Sequence, residues 1–201
     1  EETPSTELTP ELRDKMGRTA VEVARASGYT NAGTVEFLYA GEGNYYFLEV
    51  NTRLQVEHPV TEETIGVDLV AEQIKVAAGE KLTLKQEDMV QRGHAIEVRI
   101  YAEEPSANFM PSSGQIVYMK EPEGPGVRLD NGVFSGWNVP VHYDPILSKL
   151  IVWGPDREAS RRRMVNALRD FAILGVSTTV EFLAKALEHP DFIGGQTYTD
   201  F

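Results

Sequence analysis

An α+β fold with a largely antiparallel sheet is what this sequence predicts, on three observations. Two aromatic- and aliphatic-rich runs, Val35-Glu36-Phe37-Leu38-Tyr39 and Tyr45-Tyr46-Phe47-Leu48-Glu49-Val50, flank the turn-forming Ala40-Gly41-Glu42-Gly43-Asn44, the pattern of a β-hairpin. Residues 93–103 alternate cleanly, with His94, Ile96, Val98, Ile100 and Ala102 on one face and Ala95, Glu97, Arg99, Tyr101 and Glu103 on the other, as a strand with two distinct faces would. Helical periodicity with capping residues brackets these strands on both sides.

The elements follow in order. Thr9-Pro10-Glu11-Leu12 sets a capping hydroxyl ahead of a proline and an acid, residue types that suit a first helical turn. Leu12, Met16, Ala20, Val23 and Ala24 then recur at helical spacing until Gly28; this helix is expected to serve packing. The hairpin comes next. Asp68 caps a second helix in which Leu69, Gln73, Ile74 and Ala77 share a side and which Gly79 stops. Its N-terminus, soon after the hairpin, would favour an anion nearby. Residues 80–92 are polar and irregular, and we place a boundary there, giving domains at 1–88 and 93–201. Beyond it, strand patterns appear at 115–119, 127–130 and 146–153, separated by proline and glycine turns. Helices at 157–171, capped by Asp156, and at 180–187 close the chain.

Composition excludes several classes of function. Nineteen basic residues against 31 acidic ones give a formal net charge of −12, whereas a nucleic-acid binder normally shows a basic patch. Arg161-Arg162-Arg163 lies mid-helix among acids and reads as a solvated helix face. The absence of cysteine rules out disulfides, thiolate metal sites and a cysteine nucleophile, and fits a cytoplasmic location. No apolar run is long enough to span a membrane and no signal-peptide pattern opens the chain, so a soluble protein is expected. The four histidines are not at metal-ligand spacing; His58 and His94 read as hydrogen-bonded structural groups. No glycine-rich phosphate loop is present. Glu1-Glu2-Thr3-Pro4-Ser5-Thr6 reads as a linker into a helix, which points to a piece of a longer protein.

The most informative stretch is Glu49-Val50-Asn51-Thr52-Arg53-Leu54-Gln55-Val56-Glu57-His58-Pro59. Every odd position from 49 to 57 carries a charge or an amide, so an extended segment would present Glu, Asn, Arg, Gln and Glu on one face. At roughly 3.3 Å per residue, Glu49 and Glu57 would then stand about 26 Å apart, too far for one reacting centre. Either the strand ends near Arg53 and the chain curls back, or the face serves two subsites. Pro59, which cannot donate to a sheet, favours the first.

The hairpin adds a second acid. Folding about the Glu42/Gly43 midpoint opposes Tyr39 to Tyr46, Leu38 to Phe47 and Glu36 to Glu49. Directly opposed residues lie about 4.5–5.5 Å apart at Cβ, where like charges repel. Two facing acids with Asn51 next on the same face call for a cation, and hard divalent ions such as Mg²⁺ take carboxylate and amide oxygens. On the other face Val35, Phe37, Tyr39, Leu48 and Val50 would seat the hairpin on a core. A five-residue loop fixes register weakly, so a bulge that turns these acids to solvent remains open.

The run from Glu49 through Pro59 to Val60-Thr61-Glu62 resembles the biotin carboxylase component of biotin-dependent carboxylases, ATP-grasp enzymes acting for acyl-CoAs or pyruvate. The resemblance continues through 93–105, through Tyr143-Asp144-Pro145-Ile146-Leu147-Ser148-Lys149-Leu150 and to Gly194-Gly195. It implies the C-terminal half of an ATP-grasp domain continuous with the biotin carboxylase C-terminal antiparallel-sheet domain. It also implies a ligase that uses ATP, Mg²⁺ or Mn²⁺ and bicarbonate to carboxylate biotin through carboxyphosphate. By resemblance Glu36, Glu49 and Asn51 hold the metal ions and Leu38 touches adenine. Arg53, Gln55 and the Val56 amide hold bicarbonate, Glu57 is the base that deprotonates it, and Arg99 stabilises the biotin enolate oxygen. From the sequence alone a cross-strand ion-pair partner for Glu97 or Glu103 is the favoured role of Arg99, and the resemblance reverses that preference.

The resemblance sets bounds as well. The family's ATP-site lysines, glycine-rich lid and bicarbonate-contacting lysine precede the first residue of this chain, so the 201 residues alone are expected not to turn over ATP. No Met-Lys-Met biotinylation motif is present, so biotin would arrive on a carrier domain, with a carboxyltransferase as further partner. A homodimer is implied for the full-length enzyme, with Arg128 and Ile146 in the dimer-forming region, and a mitochondrial matrix location if the source is eukaryotic. Two alternatives stand beside this reading: a non-catalytic dimerisation or docking module, and a different ATP-grasp ligase, which Glu57-His58-Pro59 disfavours.

Overall fold

The computed structural model describes residues 1–199 and 201. Its contacts divide the chain into Pro4–Val90 and a second unit formed by Gln91–Phe201 with Glu1–Thr3. The leading residues Glu2–Thr3 form strand β1, which pairs antiparallel with residues 95 and 96 of the second unit. No local pattern announced it.

In the first unit, helix α1 spans Pro10–Ser27, with the Thr9 side chain accepting from the Leu12 N–H at 3.3 Å and Gly28 in the left-handed conformation that glycine adopts without strain. None of its residues is buried within this chain. Strands β2 (Thr34–Gly41) and β3 (Asn44–Asn51) form the expected antiparallel hairpin, and Glu36 opposes Glu49. Between turn and acids the register differs from the midpoint expectation. Tyr39 pairs with Tyr45, Leu38 with Tyr46 and Phe37 with Phe47, because irregularities at Tyr39/Gly41 and at Glu36/Phe37 shift the ladder and then restore it. Two bulges that compensate leave the far end of the hairpin in its simple register. Leu48, expected on the seated apolar face, falls at the second irregularity and is 61% exposed.

The odd-numbered polar run does not continue as a strand. β3 stops at Asn51, and helix α2, which the sequence reading missed, occupies His58–Ile65 with Pro59 in its first turn. Helix α3 follows at Leu69–Ala77, capped by Asp68, whose Oδ1 accepts from the Ala71 N–H at 2.8 Å. Pro59, Val60, Glu62 and Thr64 of α2 are buried. Glu62 ties the two helices, its Oε1 accepting from the Leu69 N–H at 2.7 Å.

The second unit holds the apolar core. Its strands are β4 (His94–Tyr101), β5 (Glu103–Glu104), β6 (Met110–Pro111), β7 (Gly114–Gln115), β8 (Tyr118–Lys120), β9 (Val127–Asn131), β10 (Asn138–Val139) and β11 (Ile146–Gly154). Helix α4 (Arg157–Asp170), strand β12 (Ala172–Leu174) and helices α5 (Val180–Glu188) and α6 (Pro190–Ile193) complete it. The main sheet runs β1-β4-β11-β9 with every pairing antiparallel. Ile96, Val98 and Ile100 of β4 join Leu150 and Val152 of β11, Met164 and Leu168 of α4, and Leu187 of α5 in one buried cluster. The single strand expected at 115–119 is two short ones, β7 paired with β10 and β8 with β12. Helix α4 begins as read, with Asp156 accepting from the Ala159 N–H. Its arginine triplet is not uniformly solvated: Arg161 is largely buried, bonding Glu158 and the Leu187 carbonyl, and Arg163 bonds the Trp153 carbonyl. Only Arg162 is broadly exposed, at 68%. Among the described residues no helix is long and apolar enough to cross a membrane.

Candidate functional site

The site begins at the end of the hairpin, where strand geometry sets two acids side by side. Asn51 Nδ2 donates to Glu36 Oε1 at 2.6 Å and to Glu49 Oε1 at 3.2 Å. One amide nitrogen therefore stands between two carboxylates that would otherwise repel. The chain then leaves the sheet and returns, and Gln55 Nε2 donates to the same Glu36 oxygen at 2.8 Å. Of the two options for the polar run, the curl after the strand is the one adopted. Glu36, Glu49, Asn51 and Gln55 converge within hydrogen-bond reach; Arg53 and Glu57 are placed on the returning segment instead.

Arg53 is exposed, and its guanidinium donates to the Leu54 carbonyl at 3.3 Å. Glu57 stands immediately before α2, at the N-cap position, without capping it through its side chain. The turn that carries it is braced by backbone and ring: the His58 N–H donates to the Gln55 carbonyl, and His58 Nδ1 lies 2.7 Å from that same oxygen. His58 is thus the structural group expected. Leu38, on the strand that bears Glu36, is 51% exposed, open to a flat apolar partner.

Two carboxylates and an amide suit a divalent cation. Rotating the Asn51 amide would turn its oxygen toward the position its nitrogen now fills, giving an oxygen-only set. Among the described residues no cluster of three or more His, Asp or Glu side chains could hold a metal unaided. Nucleotide phosphates would have to supply further ligands, as is usual for Mg²⁺.

The other expected residue, Arg99, belongs to the second unit. It lies on β4 opposite Lys149 of β11, with its guanidinium 3.9 Å from Glu1 Oε1. The alternative role of ion-pair partner to Glu97 or Glu103 gains no hydrogen bond at Glu97, whose two carboxylate oxygens are buried without one. His94 behaves as expected, its Nε2 lying 2.7 Å from Glu2 Oε2. Glu2 is also gripped by Arg157. Burial alone would raise the Glu2 carboxyl, but these hydrogen bonds prevail and bring its pKa down to about 2.

Comparison with known proteins gives concordant matches for the two ends of the chain. Residues 97–201 match the biotin carboxylase C-terminal domain, and residues 1–85 match the ATP-binding domain of the carbamoyl-phosphate synthase L chain. A biotin carboxylase from Nostoc sp. is 51% identical over 201 residues, which is 100% of this chain and 45% of the relative. Biotin carboxylase 1 from Bacillus subtilis is 52% identical over 202 residues, again with 100% of this chain and 45% of that protein covered. The biotin carboxylase domain dimer of Hydrogenobacter thermophilus 2-oxoglutarate carboxylase, solved with MgADP, ADP and bicarbonate, superposes with a TM-score of 0.97 at 44% identity. That match covers 100% of this chain and 44% of the other. The chain thus spans less than half the length of these relatives.

Proposed function

The chain belongs to the biotin carboxylase family, and on that premise we propose that it forms part of an ATP-dependent ligase that carboxylates carrier-borne biotin from bicarbonate. The carrying observation is the convergence of Glu36, Glu49 and Asn51 on one amide nitrogen, with Gln55 returning to the same glutamate. In this reading 1–88 is the closing part of the ATP-grasp domain and 93–201 the biotin carboxylase C-terminal domain.

Glu36, Glu49 and Asn51 would hold Mg²⁺ or Mn²⁺, which when bound neutralises nucleotide phosphate charge and favours phosphoryl transfer. Leu38 offers an apolar contact to adenine. Arg53 presents a planar fork of donors to bicarbonate, and Gln55 and the Val56 N–H add donors beside it. Glu57 takes the bicarbonate proton, so the oxyanion attacks the γ-phosphate of ATP with ADP as leaving group. The carboxyphosphate so formed breaks down to CO₂ and phosphate, and phosphate accepts the ureido proton of biotin. Arg99 meets the negative charge that develops on the ureido oxygen. Biotin would be brought by a carrier domain, the acceptor chosen by a carboxyltransferase component, and the complete enzyme would be a homodimer.

Bicarbonate- and biotin-dependent ADP release by the complete protein tests the proposal. Arg53→Ala should lower that turnover by about 10²–10³-fold, the cost of losing one charge-stabilising donor, while the far-UV spectrum and melting profile stay unchanged. Turnover like the wild type would remove Arg53 from the site.

A further inference from the structure

Two amide side chains compete for one oxygen at the end of the hairpin. Glu36 Oε1 accepts from Asn51 Nδ2 at 2.6 Å and from Gln55 Nε2 at 2.8 Å, while Glu49 Oε1 accepts from the same Asn51 nitrogen at 3.2 Å. An ionised carboxylate can only accept, so both amides are obliged to present their NH₂ groups. The place between the two acids is thus bounded by Oε1 of each and filled by an N–H donor. A divalent cation needs the reverse, oxygens alone.

The two amides differ in what they can do when a cation takes that place. Asn51 ends β3, two residues from Glu49 on the same strand, and rotating its amide turns an oxygen inward. Gln55 lies beyond the strand, and its bond ends on the Glu36 oxygen that borders the gap. That bond has to be given up. The Gln55 backbone is pinned, because its carbonyl accepts from the His58 N–H at 3.4 Å and lies 2.7 Å from His58 Nδ1. What is left to turn is the side chain, on the same returning segment as Arg53.

We propose that Gln55 couples the metal site to the bicarbonate site, its amide exchanging Glu36 for the anion when a divalent cation engages the two acids. This exchange rests on the reading given above of Glu36 as a metal ligand and of Gln55 as a bicarbonate donor. Without metal, bicarbonate gains the Gln55 donor only by breaking its charge-assisted bond to Glu36. With metal, that bond is already lost and the gain is not offset. Each ligand therefore strengthens binding of the other, by the same factor in both directions. In the absence of bicarbonate the sign reverses for the residue itself: Gln55 opposes the metal, because its bond to Glu36 must be broken with nothing in return.

The test uses the complete carboxylase and the affinity for Mn²⁺ in the presence of ADP, with and without sodium bicarbonate at fixed pH and ionic strength. Bicarbonate should tighten Mn²⁺ binding to the wild type about tenfold. Gln55→Met, similar in volume but without a donor, should bind Mn²⁺ about threefold more tightly than the wild type when bicarbonate is absent. It should also lose most of the enhancement, the remainder being direct attraction between opposite charges. Gln55→Asn, whose amide is drawn back by one methylene, should show both effects in smaller measure. A merely structural role for Gln55 predicts weaker metal binding on substitution, not tighter. A wild type indifferent to bicarbonate, or a Gln55→Met protein that binds Mn²⁺ no more tightly without bicarbonate or keeps the full enhancement, overturns the exchange while leaving the carboxylase reading intact. A complete wild-type protein that binds no Mn²⁺ with ADP overturns both.

Discussion

In the hairpin of Pro4–Val90, Leu38, Tyr46, Phe47 and Leu48 are each more than half exposed, while in Gln91–Phe201 the strand residues Ile96, Ile100 and Leu150 are at most 1% exposed. Glu36 and Glu49, in the first region, are organised by the amides of Asn51 and Gln55 rather than by packing. Arg99, in the second, is carried by a strand whose other face is fully buried. The contrast teaches that residues assigned to one reaction can be held by different forces. A polar cluster can be retuned by ligand charge with little cost to the fold, whereas a side chain on a core strand inherits the rigidity of that core.

The widest separation should appear in stability. Leu150→Ala in β11 should destabilise the 201-residue chain by about 3–4 kcal/mol through lost burial and a residual cavity, whereas Leu48→Ala in β3 should stay within about 0.5 kcal/mol. Urea unfolding monitored by circular dichroism would measure both, and equal effects would break the contrast. A smaller effect sharpens it, since pH acts on the sheet unit through two acids of opposite sign. Glu2, held at about 2 against an unfolded value of 4.5, contributes stability that is present above pH 4.5 and lost as pH falls toward 2. Glu97, raised to about 7, carries no penalty below pH 4.5 and becomes progressively destabilising up to pH 7. Glu2→Gln should flatten the acid limb of a stability profile and Glu97→Gln the limb between 4.5 and 7, each by about 2 kcal/mol after allowance for solvent screening. A profile unchanged by either substitution would contradict the assignment.

Much of this was legible in the residues, and the misses have physical causes. The pairing of Glu36 with Glu49 follows from the turn midpoint, since the two irregularities between them cancel. Leu48 could not be placed, because a bulge depends on local twist and cross-strand packing that a period-two pattern does not encode. The helix at His58–Ile65 was overlooked beside a run read as strand, although Pro59 in a first turn was its available signal. β1 has no signal of its own; its partner residues lie more than ninety positions away. The alternation of 93–103 was read correctly, yet it implied a polar face where both faces of β4 are largely buried. Only the three-strand register brings Glu97, Lys149, Asp130 and Arg128 onto one surface.

The most direct measurement is Mn²⁺ binding to the complete protein in the presence of ADP, followed by paramagnetic relaxation of water. Replacing Glu36 and Glu49 with Gln removes both charges while preserving shape and hydrogen-bonding capacity. We expect Mn²⁺ affinity to fall by at least about tenfold for either single variant and further for the pair, as befits the loss of charged ligands. Mn²⁺ affinity equal to that of the wild type in the double variant would contradict the account.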